Sequence, residues 1–365
     1  MSFQELSERH RDIIRVERSR GDRQVMGTMC SYVPVEILHS FGILPVRIWG
    51  QSDDIGKADA LLQQFVCPPV RHLMALGLEG RYDFLDGIVH CYTCDATCGL
   101  FNIWVRNLRP RFSHLISLPY AAIDEALAYT MAEFGVLIEK LESLTQTQFS
   151  PDSLASSVAL YNEARALMKN VYRLLGRGLP ISYVDMHAMN VCSQVLPVEA
   201  FIPHLKDFLE AAKQTAPVSG KRRRFLLSGS VITDTALLAF VEDLGVKIVA
   251  DDTCMGLRLL QGAIGEGEPL ESLARYYLTR PPCASRADFP SRKSYLLDTL
   301  AEYDIDAVAF VHQKFCDPHL SDHPFLKKIL DEAGIPNMQL ELEGEGFTGR
   351  VQTRIESFLE MLETR

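Results

Sequence analysis

Apolar residues along the chain gather into eight short runs separated by longer amphipathic stretches. Four lie in the first third: QVMGTM (24–29), ILPVRIW (43–49), FLDGIVH (84–90) and HLISL (114–118). Four more follow the basic run Lys221-Arg222-Arg223-Arg224: FLLSGSVI (225–232), VKIVAD (246–251), AVAFVH (307–312) and MQLELE (338–343). Continuous apolar runs of strand length, alternating with helical segments, predict parallel sheets covered on both faces. Between the two series the period changes. Ile123, Leu127, Met131, Phe134, Ile138 and Leu141 recur every three or four residues and predict one face of a long helix. Ser150 and Pro151 read as the N-cap and first position of a second long helix, which Gly176 and Gly178 end.

The fold class expected is therefore α/β, with two Rossmann-like or flavodoxin-like domains joined by a helical segment. The predicted layout is an N-terminal domain over 1–215, with its helical insertion at about 121–215, and a C-terminal domain over 216–365, the boundary falling near Thr215 to Gly220. No tandem repeat or low-complexity segment is legible.

Composition narrows the function. With 47% hydrophobic and 23% charged residues over 365 positions, the chain reads as globular rather than disordered. A net charge of -10 disfavours nucleic acid as a general partner. The first twenty residues mix acids and bases without an apolar signal core, and no apolar run reaches membrane-spanning length. Nine cysteines, an odd number, argue against a paired disulfide framework, so a cytoplasmic protein without membrane partners is expected.

The position of the cysteines is more informative than their number. Cys30, Cys94, Cys254 and Cys316 each follow a predicted strand, where open α/β sheets place their ligand crevices. Two belong to each predicted domain, so a cleft between the domains can gather thiolates around one metal centre, and all-thiolate sites suit iron–sulfur clusters. The plainer reading of any one of them is a small buried hydrophobe. Cys91-x2-Cys94 with Cys98 beyond opens like a zinc knuckle but lacks a second ligand pair nearby, and a redox dithiol of Cys91 and Cys94 lacks its usual context.

At these residues the sequence resembles the 2-hydroxyacyl-CoA dehydratase and benzoyl-CoA reductase family, in its D-component-type iron–sulfur subunits. The resemblance is carried, in family order, by GTMCSYVPVEILHSFGILPVRIWG (27–50), YDFLDGIVHCYTCD (82–95), LLSGSVITD (226–234), LGVKIVADDTCMGLR (244–258), KFCDPH (314–319) and GIPNMQLELE (334–343) with TRIESFLEML (353–362). It implies a 4Fe-4S cluster on Cys94, Cys254 and Cys316, with one iron open to substrate. It also implies an ATP-dependent iron–sulfur activator protein as electron donor, and a homologous second subunit or a second copy as partner. The implied reaction is one-electron reduction of a (R)-2-hydroxyacyl-CoA thioester to a ketyl radical, which expels the 2-hydroxyl and, after loss of a proton and return of the electron, yields the enoyl-CoA. Reductases of the family use the same device without returning the electron. Cys30 and Cys67 are additional candidates, because related reductases carry an 8Fe-9S double-cubane cluster that needs more than three thiols. Those two with Cys94, Cys254 and Cys316, plus one of Cys91, Cys98 or Cys192, suffice by number, although Cys67, Cys192 and Cys283 also read as plain core or surface thiols. A non-catalytic, cluster-carrying subunit is the remaining alternative. The chain carries no GxxxxGKS/T of its own, in keeping with a donor in trans.

Beyond the cysteines, Glu36 and His39 share a helix face near Cys30 and are candidate general acid or base groups, with an ordinary helix-face pair as the plainer reading. Asp95, Asp251, Asp252 and Asp317 flank the candidate ligands and read chiefly as helix caps. Ser228, Gly229 and Ser230 are candidates for holding a CoA phosphate on backbone N–H groups, as is Gly344-x-Gly346-x-x-Gly349. Too few residues follow Gly349 to complete an NAD-binding unit. Arg222 to Arg224 read as a solvated charge run or a docking patch for CoA or the activator.

Overall fold

The computed structural model describes residues 1–21, 23–216, 222–286, 288–343 and 347–364. All eight apolar runs form strands: β1 (Val25–Thr28), β2 (Leu44–Arg47), β3 (Gly87–Cys91), β4 (Phe112–Ile116), β5 (Arg223–Gly229), β6 (Val246–Asp252), β7 (Ala307–Gln313) and β8 (Asn337–Leu342). They assemble into two four-stranded sheets, ordered β2-β1-β3-β4 and β6-β5-β7-β8, and every pairing is parallel. Strands β1, β2, β3 and β7 are buried at every position, which is why their sequences read as continuous apolar runs rather than alternating ones.

The two sheets share one strand order, and that order positions the site. In each, the chain moves from the first strand to one side for the second, then crosses to the other side for the third. The loops leaving β1 and β3, and those leaving β5 and β7, therefore part from one another and open a crevice at the carboxyl ends.

Four helices link the sheets: Asp124–Thr145, Pro151–Gly176, Tyr183–Val195 and Val198–Ala212. Ser150 caps the second, its Oγ accepting from the Ser153 N–H at 3.2 Å. The first buries Phe134, Ile138 and Leu141 as the period predicts, but Ile123 is 62% exposed. The helix begins only at Asp124, and Ile123 is its extended N-cap, so the helical phase does not reach it.

One core runs through both halves, joining Ile88 of β3, Met168 and Tyr172 of the long helix, and Phe225 and Phe310 of the second sheet. The helix Pro269–Thr279 packs on both Asp124–Thr145 and Pro151–Gly176, so a late segment closes on an early one. Of the expected boundary, 217–220 lie outside the described residues. Among the described residues no helix is long and apolar enough to cross a membrane.

Candidate functional site

Six of the nine cysteines, Cys30, Cys67, Cys94, Cys254, Cys283 and Cys316, line one cavity of about 130 Å3 at the carboxyl ends of both sheets. They reach it by two kinds of local structure. Cys67, Cys94 and Cys316 are the N-cap residues of the helices Pro68–Leu78, Asp95–Leu108 and Asp317–Glu332. Each thiol thus sits where free backbone N–H groups and the helix dipole favour negative charge. Cys30, Cys254 and Cys283 lie instead in loops between elements.

Their electrostatics run across this division. Cys67 is influenced by Cys94, Cys316 by Cys67, Cys94 and Cys283, and Cys254 by Cys283 and Cys30. Cys94 in turn feels Cys30 and Cys283, which ties the two sets together. Burial pushes the Cys67 thiol up to about 12 and raises Cys94 and Cys316, a cost that a bound cation replacing the proton would offset. Burial takes Cys254 up to about 11 against the pull of Arg47 and Arg258. Cys283 behaves differently: burial again opposes its ionisation, but Arg258 and His319 outweigh it and hold this thiol well below its ordinary value.

Among the described residues no three His, Cys, Asp or Glu side chains are grouped to hold a single metal ion. The thiols are arrayed around a space rather than meeting at a point. That donor set is all-sulfur, which suits a polynuclear iron–sulfur cluster. Hydroxyls fit as well: Ser230 and Ser285 line the cavity, and their buried Oγ atoms have no hydrogen-bond partner. Such free donors are what cluster sulfur atoms accept from. Met29, Ile48, Trp49, Val70, Leu73 and Val231 supply apolar wall.

The turn after β6 shows how one ligand loop is held. Asp251 is fully buried and accepts from Tyr172 Oη, from Tyr183 Oη at 2.6 Å, and from the N–H groups of Thr253 at 3.0 Å and Leu257 at 3.2 Å. It draws the chain into a tight loop around Cys254, and a Cβ on Gly256 would lie 2.1 Å from its carboxylate. Asp252, also buried, pairs with Arg292 at 2.9 Å and Arg258 at 3.1 Å. Both aspartates are thus built into the loop's support.

Cys91, Cys98 and Cys192 do not line the cavity. Cys91 ends β3 and donates to the Tyr32 carbonyl at 3.0 Å, and Cys98 is buried in the helix that Cys94 caps. Cys192 lies near the Phe3 carbonyl, 3.5 Å away. Glu36 and His39 occupy the helix Val35–Ser40 but face its helical neighbours. Glu36 accepts from Arg165 at 2.8 Å and from Tyr277 Oη at 2.9 Å, while the His39 ring contacts Ser157 Oγ at 2.8 Å and Glu199 at 3.1 Å.

Ser228 and Gly229 fall inside β5, where Ser228 Oγ donates to Asp252 at 3.1 Å, and only Ser230 lies beyond the strand. Gly229 is required by packing, because a Cβ there would lie 2.1 Å from the Val311 carbonyl of β7. Gly229→Ala is expected to cost about 3 kcal/mol through the displaced pairing, read as a lower urea midpoint. Arg223 donates to the Leu362 carbonyl and Arg224 to that of Tyr303, at 2.6 Å, so two members of the basic run brace the second sheet. Lys221, Gly344 and Gly346 lie outside the described residues.

Two of the six thiols stand at places that strand ends do not mark. Cys283 follows no strand, and nothing local distinguishes it from a core thiol. Cys67 does carry a signal, since Cys-Pro-Pro places a thiol immediately before a proline-started helix.

Known proteins resemble the whole chain. The family model described as "2-hydroxyglutaryl-CoA dehydratase, D-component" matches residues 30–362. The beta subunit of lactoyl-CoA dehydratase of Anaerotignum propionicum is 28% identical over 96% of this chain and 94% of its own. A benzoyl-CoA reductase subunit of Thauera aromatica is 30% identical over 86% and 84%. The beta subunit of (R)-2-hydroxyglutaryl-CoA dehydratase of Acidaminococcus fermentans is 23% identical over 99% and 98%.

Proposed function

The chain belongs to the 2-hydroxyglutaryl-CoA dehydratase D-component family of enzyme subunits, and on that premise we propose that it is an iron–sulfur subunit delivering single electrons to an acyl-CoA thioester. One observation carries the reading: six thiols from both sheets line one cavity, with unpartnered hydroxyls beside them. A cluster held there by these thiols would supply low-potential single electrons to a thioester bound beside it.

The chain's own residues set the conditions. Helix N-termini at Cys67, Cys94 and Cys316 stabilise thiolate charge. Arg258, held by Asp252, and Arg47 favour the charged form of Cys254. Ser230 and Ser285 donate hydrogen bonds, and the apolar wall keeps water out. In this reading the electrons come from an ATP-dependent activator protein, and a homologous partner or a second copy of the chain completes the enzyme. The names of the relatives supply both possible reactions: dehydration of a 2-hydroxyacyl-CoA, and reduction as in benzoyl-CoA reductase.

Six thiols around one cavity favour the reductase carrying an 8Fe-9S double-cubane cluster. A single 4Fe-4S cluster on a dehydratase needs only three of them, Cys94, Cys254 and Cys316 in the family's pattern. Anaerobic purification followed by iron and acid-labile sulfide analysis tests this. About eight irons per chain are expected, whereas about four would return the single-cluster dehydratase. Protein that takes up zinc but no iron, even after reconstitution, would remove the electron-transfer role.

A further inference from the structure

Two buried guanidinium groups stand beside the thiols with unused donors. Arg47 ends β2 in the wall of the thiol cavity, its Nη1 is buried without a hydrogen-bond partner, and among the described residues it forms no ion pair with a carboxylate. Arg258, in the loop that carries Cys254, is buried as well. Its Nη1 donates to Asp252 at 3.1 Å, while its Nη2 has no partner. The buried acids of this loop are occupied elsewhere. Asp252 also accepts from Arg292 at 2.9 Å and Ser228 at 3.1 Å, and Asp251 is held by two tyrosine hydroxyls and two backbone N–H groups.

Both cations act on the thiols. Burial opposes ionisation of Cys254, and Arg47 followed by Arg258 favours it; burial opposes it at Cys283 too, where Arg258 is the leading charge in favour. Asp95 and Asp317, the acids that follow Cys94 and Cys316, are exposed, so solvent screens them. A guanidinium removed from water is costly unless negative charge meets it. Thiolates and cluster sulfur are the negative charge at hand, and one added electron makes that charge one unit larger. A cation fixed beside them therefore stabilises the reduced state more than the oxidised one. Net charge and hydrogen bonds to sulfur are among the factors that set the potential of an iron–sulfur cluster.

We infer that Arg47 and Arg258 set the reduction potential of the cluster in the thiol cavity, holding it above the value that the thiolates alone would give. Their part is electrostatic: they ease uptake of one electron from the donor protein without binding the substrate. The inference rests on the reading of this cavity as an iron–sulfur site and adds to it the residues that govern how the electron is held.

Redox titration of the anaerobic full-length protein with titanium(III) citrate and mediators, followed by electron paramagnetic resonance, reads the potential directly. Arg47→Met and Arg258→Met remove the charge and the donors while keeping an unbranched side chain. Each is expected to make one-electron reduction at least about tenfold less favourable, a midpoint lower by about 59 mV or more. The gap should persist at high salt, because both groups are buried. Arg47→Lys restores the charge and should recover most of the shift, which a purely structural role would not do. Arg222→Met removes an exposed cation at the amino end of β5, away from the cavity, and should leave the midpoint where it is. A midpoint unchanged or raised in either methionine variant, an equal shift in Arg222→Met, no recovery in Arg47→Lys, or loss of iron from either methionine variant would overturn the inference. Parent protein without iron fails the cluster reading itself before any variant is made, so the two failures are distinguishable.

Discussion

Serine in place of Cys94 or Cys316 is expected to strip the protein of most of its iron and to lower activity by more than about a hundredfold. Both residues are helix N-caps, and serine is among the best residues for that position, so neither substitution threatens the fold. Thermal unfolding of the iron-free variants should match that of the iron-free parent, which separates ligand loss from misfolding. Cys192→Ser serves as the control, because this thiol is buried in the helix Tyr183–Val195, away from the cavity, and iron content should be unchanged. Cys283→Ser decides between the two cluster readings. It should lose about half of the iron if all six thiols hold a double cubane, and none if Cys94, Cys254 and Cys316 hold a single cluster. Full iron retention in both Cys94→Ser and Cys316→Ser would rule out the assigned site.

Asp252→Ala is expected to destabilise the protein by about 3–5 kcal/mol, because it leaves the guanidinium groups of Arg258 and Arg292 buried without their shared partner. Equilibrium urea unfolding of the iron-free protein reads this as a lower midpoint at unchanged slope. The pH dependence follows from direction. Burial opposes ionisation of Asp252, but Arg292 and Arg258 outweigh it and hold the carboxyl below its ordinary value of 3.8. Its contribution is therefore fully present above the unfolded-state value and is lost as pH falls through the lower folded-state one. The stability gap between parent and Asp252→Ala should be constant from neutral pH down to about pH 5 and close only in stronger acid. A gap that closes near neutrality would assign the loss to some other group.

Both predictions depend on residues whose surroundings are only partly legible in the sequence. The eight strands are legible to within a few residues, because strands buried on both faces leave continuous apolar runs whatever their partners. The long helix after Ser150 is legible from its cap and proline. Four cysteines can be placed at strand ends by the same local logic. Cys67 is within reach through its Pro-Pro helix start, although the same residue reads equally as a core thiol, and Arg47 is within reach as a charge at the end of an otherwise apolar run. Glu36 looks like a helix-face group near Cys30, yet its carboxylate meets Arg165, 129 residues later, and Tyr277, 241 residues later. No local pattern encodes such partners.

What the sequence determined by itself was the kind of elements, their order, and the loops in which a thiol, a hydroxyl or a cation stands, since hydrophobic period, proline and capping act over one or two turns of chain. The tertiary structure decided which of those loops meet. Parallel order β2-β1-β3-β4, repeated as β6-β5-β7-β8, sends the loops after the first and third strands of each sheet apart and opens a crevice at each switch point. A core shared by both halves brings the two crevices onto one cavity. Cys283 joins that cavity from a loop after the helix Pro269–Thr279, which is held by packing against helices of the first half. Its place as a sixth thiol is a property of long-range burial, where contacts between distant segments and the removal of water set the chemistry.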